Sequence, residues 1–443
     1  MPIDSSRSLV DALAREIFER GVRSCLPTTR LVRTGSVEPP VACLMTMRRD
    51  ESSVELAWLG DAYRLEHSNR HFTEAEINFL DSIGTVSLRY RELIDSAVAE
   101  ERLELMRGVP EDHFVSAYLD PSPYTREPPT MDRIADAIEV LRVSSSSTYE
   151  NRRINSGVLL FGNWADPCHA LPPLREGALR YDQALTTSRT FHRLSDGMRT
   201  VALVDGAGLM VDLVDIDEWA APVSDRALPV PCSQQFAAHC RATICGGHVC
   251  LVLTPNGEIK AFADGMQVFN RLDGRWRLTD ASDKYASWKH ALDDGPLAER
   301  LFTSALNLAE LRRGGLFVVL ADPSAASHLL TPHDRLDLTS ADASEPPAQE
   351  QFNYLLRGKL ALDLTPTVLE SIARIDGAIV LDRASNLLAF GAILRHHVDL
   401  DPFVAEGGRT TAAISASRYG HVLKVSEDGL VSFYAAGRQV WEM

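Results

Sequence analysis

Two stretches of the sequence resemble each other, and the similarity predicts a chain with two related domains. Residues 205–265 and 376–437 both begin with Asp-Gly-Ala, and the spacing from this Asp to a final Gly is 60 residues in one and 61 in the other. A Gly-His-Val opens a predicted strand in both copies, at 247–249 and 420–422, and an apolar run precedes each copy. A repeat at a fixed spacing is typical of duplicated structural units. The alternative is two unrelated hairpins with similar Gly-rich turns.

Composition and turn signals place these domains in the α/β class. The chain has 443 residues, of which 45% are hydrophobic and 24% charged, enough apolar content for two or three cores. Asn-Gly at 256–257 and Asp-Gly at 273–274 are hairpin signals between apolar runs. We therefore predict α/β or α+β domains, with mixed sheets flanked by helices. The predicted division is 1–125 as an N-terminal regulatory region, 130–290 as a β-rich, sensor-like domain and 296–443 as the C-terminal domain.

Charge and hydropathy argue against nucleic acid and membranes as partners. The formal net charge is -16 and the pI is near 5.3, whereas DNA, RNA and anionic lipids attract proteins through Lys and Arg. The sequence lacks a run of about eighteen apolar residues, and residues 1–22 form an amphipathic pattern with acids instead of a signal peptide. Seven cysteines at irregular positions do not suggest a disulfide framework. We expect a cytoplasmic protein.

The N-terminal region carries a clear helix-start signal. Thr73 and Glu76 form a capping box, and Phe72 is placed to pack on Ile77. A long helix is therefore predicted from this point, after a short strand at "VELAWLG", residues 54–60. The segment resembles the closing helix of a GAF sensor domain. An unclassified helical cap is the alternative.

Four cysteines and two histidines cluster in a stretch of about twenty residues. They are Cys232, His239, Cys240, Cys245, His248 and Cys250. Zinc sites usually pair their ligands two to four residues apart, as in Cys-x2-Cys, and that spacing is missing here. Small buried thiols in a helix and in the next strand are the favoured interpretation, and a zinc site is the alternative.

A candidate anion site lies near the C-terminus, where "AEGG" precedes the helix pattern "TTAAISASRYG". The backbone N–H groups of residues 408–411 lie at this helix start, where they and the helix dipole attract anions. Arg409 adds a guanidinium, and Thr410 and Thr411 add hydroxyls. Asp376 lies beside a glycine where a strand begins, which suits a carboxylate presented to a metal or a ribose hydroxyl. An ordinary helix cap and an ordinary turn are the alternatives.

Together these motifs resemble the diadenylate cyclase domain, the nucleotide-binding domain of DisA-type proteins. The resemblance covers residues 296–443, where "ALNLAELRRGGLFVVLADP" is similar to the family's opening helix and strand and Asp-Gly-Ala at 376–378 to its signature. "GGRTTAAISAS" is similar to a second signature, and "VSEDGLVSFYAAGR" to a strand-turn-strand of the family. The resemblance implies that two such domains face each other and condense two ATP into cyclic di-AMP. It therefore implies ATP as substrate, Mg²⁺ or Mn²⁺ as cofactor, and a homodimer or higher oligomer through the C-terminal domain.

The resemblance also implies roles for individual residues. Asp376, Gly377 and Ala378 match the catalytic signature, and Asp376 is also the implied metal ligand. The nucleotide-binding residues that the motifs imply are Gly407, Gly408, Arg409, Thr410, Thr411 and Glu427.

Departures from the family pattern keep other functions open. Thr410 and Thr411 stand where the family has His and Arg, Gly408 replaces its Thr, and Ile375 precedes Asp376 where His is usual. Loss of a cation and an imidazole from a triphosphate site costs a few kcal/mol of transition-state stabilisation. The alternative function is a catalytically degenerate nucleotide or cyclic-dinucleotide sensor. A purely structural interaction protein is a third class.

The first copy of the repeat is predicted to be degenerate. It repeats Asp-Gly-Ala at 205–207, but Gly-Gly-Arg is missing from its helix start, where His239 and Arg241 are the candidate polar side chains. A half-site without a phosphate cradle is expected to act as a structural partner or a sensor instead of holding ATP for reaction.

Overall fold

The structure is a computed structural model, and it divides into two compact units. Unit 1 comprises Met1–Pro229 and Ala238–Asp280, and unit 2 comprises Val230–Ala237 and Ala281–Met443. The predicted α/β class is confirmed, because both units combine β-sheets with helices. Among the residues described, no helix is both long and apolar enough to cross a membrane. The described residues are 3–26, 28–37, 44–50, 52–67, 71–95, 108–126, 130–149, 152–162, 166, 168–188, 190–336, 350–395 and 407–443.

The helices and strands are numbered in chain order. The helices are α1 (Ile3–Cys25), α2 (Glu74–Asp95), α3 (Pro110–Leu119), α4 (Ser122–Thr125), α5 (Arg133–Ser145), α6 (Phe191–Leu194), α7 (Ile216–Ala220), α8 (Ala237–Ala242), α9 (Ala281–Leu292), α10 (Gly295–Glu310), α11 (Ala326–Leu329), α12 (Pro366–Ala373) and α13 (Gly408–Ala416). The strands are β1 (Thr29–Ser36), β2 (Met45–Arg49), β3 (Ser53–Trp58), β4 (Asp61–His67), β5 (Thr148–Tyr149), β6 (Arg152–Arg153), β7 (Ser156–Leu160), β8 (Thr200–Val204), β9 (Met210–Asp215), β10 (Val249–Leu253), β11 (Ile259–Ala263), β12 (Met266–Leu272), β13 (Arg275–Leu278), β14 (Gly315–Leu320), β15 (Ala378–Asp382), β16 (Leu387–Ala392), β17 (Gly420–Val425), β18 (Val431–Ala435) and β19 (Arg438–Glu442).

Unit 1 begins with a four-stranded antiparallel sheet in the order β1-β4-β3-β2. The strand predicted at "VELAWLG" lies in β3, and the predicted long helix is α2. Its capping box is formed, because the Thr73 N–H donates to Glu76 Oε2 at 3.1 Å and the Glu76 N–H donates to Thr73 Oγ1 at 3.2 Å. This region therefore combines a sheet with helices, and both the GAF resemblance and the unclassified helical cap stay predictions.

A seven-stranded sheet follows in unit 1, in the order β13-β12-β11-β10-β7-β8-β9. Strands β7 and β8 pair in parallel, and the other neighbours pair antiparallel. The hairpin turns predicted at 256–257 and 273–274 are confirmed, since they join β10 to β11 and β12 to β13.

One hydrophobic core joins the two sheets of unit 1. It contains Phe18 of α1, Trp58 of β3 and Phe79 of α2 together with Phe269 of β12. The ring centroids of Phe79 and Phe269 lie 4.9 Å apart. Residues on both sides of the boundary predicted near 125 therefore share one core. The regulatory role of the N-terminal region stays a prediction.

Unit 2 is built on a six-stranded sheet in the order β16-β15-β14-β17-β18-β19, with β14 and β15 parallel. Successive side chains of β14 enter different cores, because they point to opposite faces of the sheet. Phe317 and Val319 belong to a cluster with Phe302 of α10, and Val318 belongs to a cluster with Ala413 of α13. Helices therefore cover both faces of this sheet.

The repeat is visible in the strand order of the two units. Strands β9-β8-β7-β10-β11-β12 of unit 1 follow the same order and relative directions as β16-β15-β14-β17-β18-β19 of unit 2. A helix capped by an Asp precedes the first strand of each set: Asp132 caps α5 and Asp294 caps α10. The tandem copy is thus confirmed as a common topology, to which unit 1 adds β13.

The alignment of the two Asp-Gly-Ala motifs, however, is wrong. Residues 205–207 follow β8 in the turn to β9, whereas residues 376–378 lead into β15. The counterpart of Asp205 is Asp382, since each donates its N–H to the carbonyl four residues later, at 3.0 and 3.2 Å. Asp-Gly pairs are common in turns because both residues favour turn conformations. The same three-residue motif therefore occurs at two positions that are not equivalent in the fold.

Candidate functional site

Asp376 lies at the amino end of β15, where its side chain is 90% exposed and accessible to a ligand. The next two residues, Gly377 and Ala378, are required by the packing of the sheet. Gly377 has a φ of +116°, and a Cβ there would lie 2.6 Å from the carbonyl oxygen of Gly391 in β16. Ala378 is 1% exposed and belongs to the core beneath α13. Both residues therefore fix the position of Asp376.

Arg409 connects the residues that the sequence motifs singled out. It lies in the first turn of α13, and its guanidinium donates to Glu427 Oε1 at 2.9 Å and lies 4.0 Å from Asp376 Oδ1. Glu427 follows β17 and is 71% exposed. The guanidinium also covers Gly314 before β14, where any Cβ would collide with it. The structure thus brings Asp376, Arg409 and Glu427 together at one edge of the sheet.

Glycines leave open space at the start of α13. Gly407 caps the helix with a φ of +90°, and a Cβ added to Gly407 or Gly408 would meet no atom of the described residues within 4 Å. The first N–H groups of an α-helix have no partner inside the helix. An anion can therefore approach the main chain here without a clash with the described residues.

The two threonines of this helix already have partners within the protein. The Thr411 hydroxyl donates to the Gly407 carbonyl at 3.3 Å. The Thr410 hydroxyl accepts a hydrogen bond from Lys424 Nζ at 3.2 Å. Lys424 lies on β17, against which α13 packs, and it places a second cation beside the helix start.

Gly314 and Lys424 are the site residues that sequence reasoning missed. A usable signal existed for Gly314, because a Gly-Gly pair at the start of a buried strand often marks close approach of another group. Lys424 has no such local signal, because its place beside Thr410 depends on the packing of α13 against β17.

The arrangement combines groups for anions with groups for cations. Arg409, Lys424 and the helix start suit phosphate oxygens. The carboxylates of Asp376 and Glu427 suit a divalent cation that prefers oxygen ligands. Because Arg409 and Glu427 are both partly or largely exposed, their ion pair contributes little to stability and can open for a phosphate.

His239 and Asp205 of the first copy serve local structure. His239 is fully buried, and its Nε2 bonds to the Gly197 carbonyl at 2.8 Å. Burial lowers the pKa of this imidazole and keeps it neutral. Asp205 accepts the N–H groups of Ala207 and Leu209, both at 2.9 Å, within its own turn.

The cysteine–histidine cluster separates into unrelated parts. Cys240 in α8 and Cys250 in β10 are completely buried, as the favoured interpretation predicts, and burial raises the pKa of the Cys250 thiol. His248 instead pairs with Asp166, 82 residues earlier. A zinc site composed of residues 232–250 alone is therefore not formed. In the part of the chain that the structure describes, the one group with metal-ligand geometry is Asp166, His169 and His248.

Comparisons with known proteins add little. No family model and no curated protein matches the chain. A hypothetical membrane-spanning protein from Bacillus cereus aligns with 35% of this chain and 69% of its own, at 22% identity and a TM-score of 0.25. A double mutant of DacA from Staphylococcus aureus aligns with 33% of this chain and 86% of its own, at 16% identity and a TM-score of 0.24. At such scores neither alignment carries an argument about this chain.

Proposed function

We propose that the protein is a diadenylate cyclase that condenses two ATP molecules into cyclic di-AMP under control of its N-terminal region. The observation that carries the proposal is the meeting of Asp376, Arg409 and Glu427 beside the open start of α13. These residues come from three separate stretches of sequence, and each matches a motif that resembles the cyclase family. The net charge of -16 favours a small nucleotide over nucleic acid as the partner. We propose that the protein acts in the cytoplasm.

The triphosphate is held by the helix start and by Arg409. Charge-assisted hydrogen bonds from a guanidinium to phosphate oxygens are among the stronger ones in proteins. Lys424, bonded to Thr410, contributes a second cation at the same end of α13. It offsets part of the charge that is lost because Thr411 stands in place of the family's Arg.

Mg²⁺ or Mn²⁺ fits the carboxylates of this site. Such ions take oxygen ligands and are usually bound by one or two carboxylates together with substrate phosphates. Asp376 is the exposed carboxylate that would hold the ion, with Glu427 on the other side of Arg409. When bound, the ion neutralises charge on the triphosphate.

Each half of the reaction joins the 3′-oxygen of one ATP to the α-phosphorus of the other. The bond from that phosphorus to the pyrophosphate oxygen breaks, pyrophosphate leaves, and the hydroxyl proton passes to a base. Asp376 is the carboxylate assigned to this proton or to the ion beside it. Two nucleotides must face each other, so the C-terminal domains of two chains pair in the active enzyme.

Incubation with ATP and Mg²⁺ or Mn²⁺, followed by chromatography of the nucleotides, tests the proposal. Wild type is expected to form cyclic di-AMP and pyrophosphate. Asp376→Asn keeps the size of the side chain but removes its charge and basicity, so we expect a rate loss of about a hundredfold or more. Asp363→Asn changes an exposed carboxylate elsewhere in unit 2 and serves as the matched control. Folded wild type that forms no product, or equal rates with Asp376→Asn, contradicts the proposal.

A second candidate is a nucleotide or cyclic-dinucleotide sensor without catalysis. It is favoured by Thr410 and Thr411, which stand where the family has His and Arg and whose hydroxyls are bonded within the protein. Calorimetry separates the two functions, because a sensor binds ATP or cyclic di-AMP but forms no product. Arg409→Ala should then weaken binding about tenfold, whereas Arg418→Ala, an exposed arginine just beyond the other end of α13, should not.

A further inference from the structure

A cluster of Asp166, His169 and His248 lies in unit 1 at the carboxyl end of β7. Its position follows from the pairing of β7 with β10, because His248 immediately precedes β10. His169 Nδ1 and His248 Nε2 each lie 2.7 Å from Asp166 Oδ2. The side chain of His169 is 6% exposed, and those of Asp166 and His248 are 1% and 0% exposed. Three ligand atoms on largely buried side chains therefore converge at this point.

A second layer of contacts orients these atoms. His169 Nε2 donates to the Trp219 carbonyl at 2.8 Å, and the two rings stack with centroids 4.5 Å apart. Histidines that bind metals commonly donate their other N–H to a carbonyl in this way. Gly246 closes the site, because a Cβ there would lie 2.7 Å from His248 Cε1 and 3.0 Å from Asp166 Cβ.

The hydrogen bonds leave a place for a cation between His169 and Asp166. When neutral His169 carries its proton on Nε2, the lone pair of Nδ1 faces a carboxylate oxygen at 2.7 Å. Two such acceptors repel each other unless a proton or a metal ion lies between them. Asp166 Oδ1 accepts the Cys168 N–H at 2.7 Å, so Oδ2 is the oxygen that faces both imidazoles. Metal binding requires the carboxylate form of this side chain.

His248 is the ligand that must change most when a metal binds. Its Nδ1 accepts the Gly162 N–H at 2.8 Å, so its Nε2 carries the proton that bonds to Asp166. A metal at Nε2 moves the proton to Nδ1 and opens the bond from Gly162. We therefore expect His248 to be a weaker ligand than His169.

Unit 2 provides a comparison within the same chain. Ala-Asp-Pro occurs after both β7 and β14, so Asp322 corresponds in sequence to Asp166. Val249 pairs with Ala263 as His421 pairs with Ala435, so His421 occupies the place of Val249, and Gly420 stands where unit 1 has His248. Asp322 instead caps the turn that follows β14. His421 Nδ1 has no hydrogen-bond partner among the described residues. The converging ligands are thus specific to the first copy and are not a property of the shared topology.

We propose that Asp166, His169 and His248 bind one Zn²⁺ ion or a chemically similar divalent ion. Two imidazoles and one carboxylate are a set that zinc uses when a fourth position stays open. The bound ion joins the loop after β7 to the start of β10 and stabilises unit 1. The thiols of Cys168 and Cys245 lie nearby but face Arg226, so they are not assigned as ligands. This proposal does not depend on cyclase activity.

Metal analysis of the full-length protein tests the site directly. After loading with Zn²⁺ and dialysis, we expect one zinc per chain and a higher melting temperature that a chelator reverses. Co²⁺ in place of Zn²⁺ is expected to give the visible absorption of a low-symmetry, four- or five-coordinate site. Wild type that retains no metal and shows no thermal shift overturns the proposal. This measurement needs no substitution, so misfolding of a variant cannot obscure it.

Variants then test the ligand set. His169→Gln keeps a polar side chain but removes the imidazole, and we expect zinc affinity to fall about a hundredfold or more, with a smaller loss for His248→Gln. The double variant Asp322→Asn/His421→Gln changes an aspartate and a histidine of the similar sequence motifs in unit 2 and should bind zinc as wild type does. Wild-type affinity in folded His169→Gln, or loss of zinc from the control variant, overturns the assignment.

Discussion

At the scale of single residues, the Asp-Gly-Ala motif combines a chemical and a structural requirement. Asp376 is exposed and can act on a ligand, whereas Gly377 is present because β15 and β16 approach too closely for a side chain. The glycine also adopts a φ of +116°, which an L-residue with a Cβ rarely does. The motif therefore places a carboxylate in a rigid position at the amino end of β15.

Gly377→Ala is expected to destabilise unit 2 by about 2–4 kcal/mol, because the positive φ and the collision with the β16 backbone both oppose a Cβ. Gly408→Ala is the control: a Cβ there meets nothing within 4 Å, so a change within about 0.5 kcal/mol is expected. Urea unfolding followed by circular dichroism gives both values. Equal stability of the two variants would refute the structural explanation of this glycine.

The candidate site was predictable where its residues belong to linear motifs. Asp376, Arg409 and Glu427 each belong to a linear motif, and the structure brings the three side chains together. The metal cluster could not be predicted in the same way, because Asp166 and His248 are distant in sequence and meet only through the pairing of β7 with β10. Asp166 and His169 are three residues apart, but such a pair of an aspartate and a histidine is by itself too common in sequences to indicate a metal site.

At the scale of elements, α2 is a helix whose start could be read from a few residues. The capping box satisfies N–H groups that would otherwise lack partners in the first turn. Strand order, by contrast, depends on pairings between distant segments. This is why the hairpins at 256–257 and 273–274 were predicted correctly while residues 205–207 were aligned with the wrong end of a strand.

Thr73→Ala removes the cap of α2 and is expected to lower the free energy of unfolding of unit 1 by about 1 kcal/mol. Thr85→Ala makes the same chemical change within α2, where the exposed hydroxyl donates to the Asp81 carbonyl at 2.8 Å. Because alanine favours helix interiors, this control should be neutral or slightly stabilising. Thermal unfolding of both variants checks the difference, and a larger loss for Thr85→Ala would argue against the cap.

At the scale of the whole molecule, the repeat sets a condition on the proposed reaction. Unit 1 shares the strand order of unit 2, but it lacks the Gly-Gly-Arg motif, and its His239 is bonded to the Gly197 carbonyl. The second ATP must then be supplied by unit 2 of another chain.

We therefore expect twice the 48.8 kDa chain mass in solution when ATP is present. Light scattering across a concentration series, with and without ATP, measures this mass. A protein that forms cyclic di-AMP while remaining monomeric at every concentration would exclude pairing between chains.

Unit 2 is formed by two separate segments of the sequence. It includes Val230–Ala237, where the Gln234 N–H donates to the Asn307 side chain of α10 at 2.8 Å and Phe236 is 1% exposed. A gene fragment that starts at residue 281 would remove this segment, uncover apolar surface on α10 and leave the Asn307 oxygen without its donor. Transfer of unit 2 to another protein as an independent module must therefore include both of its segments. A simple N-terminal truncation is expected to yield an aggregation-prone product.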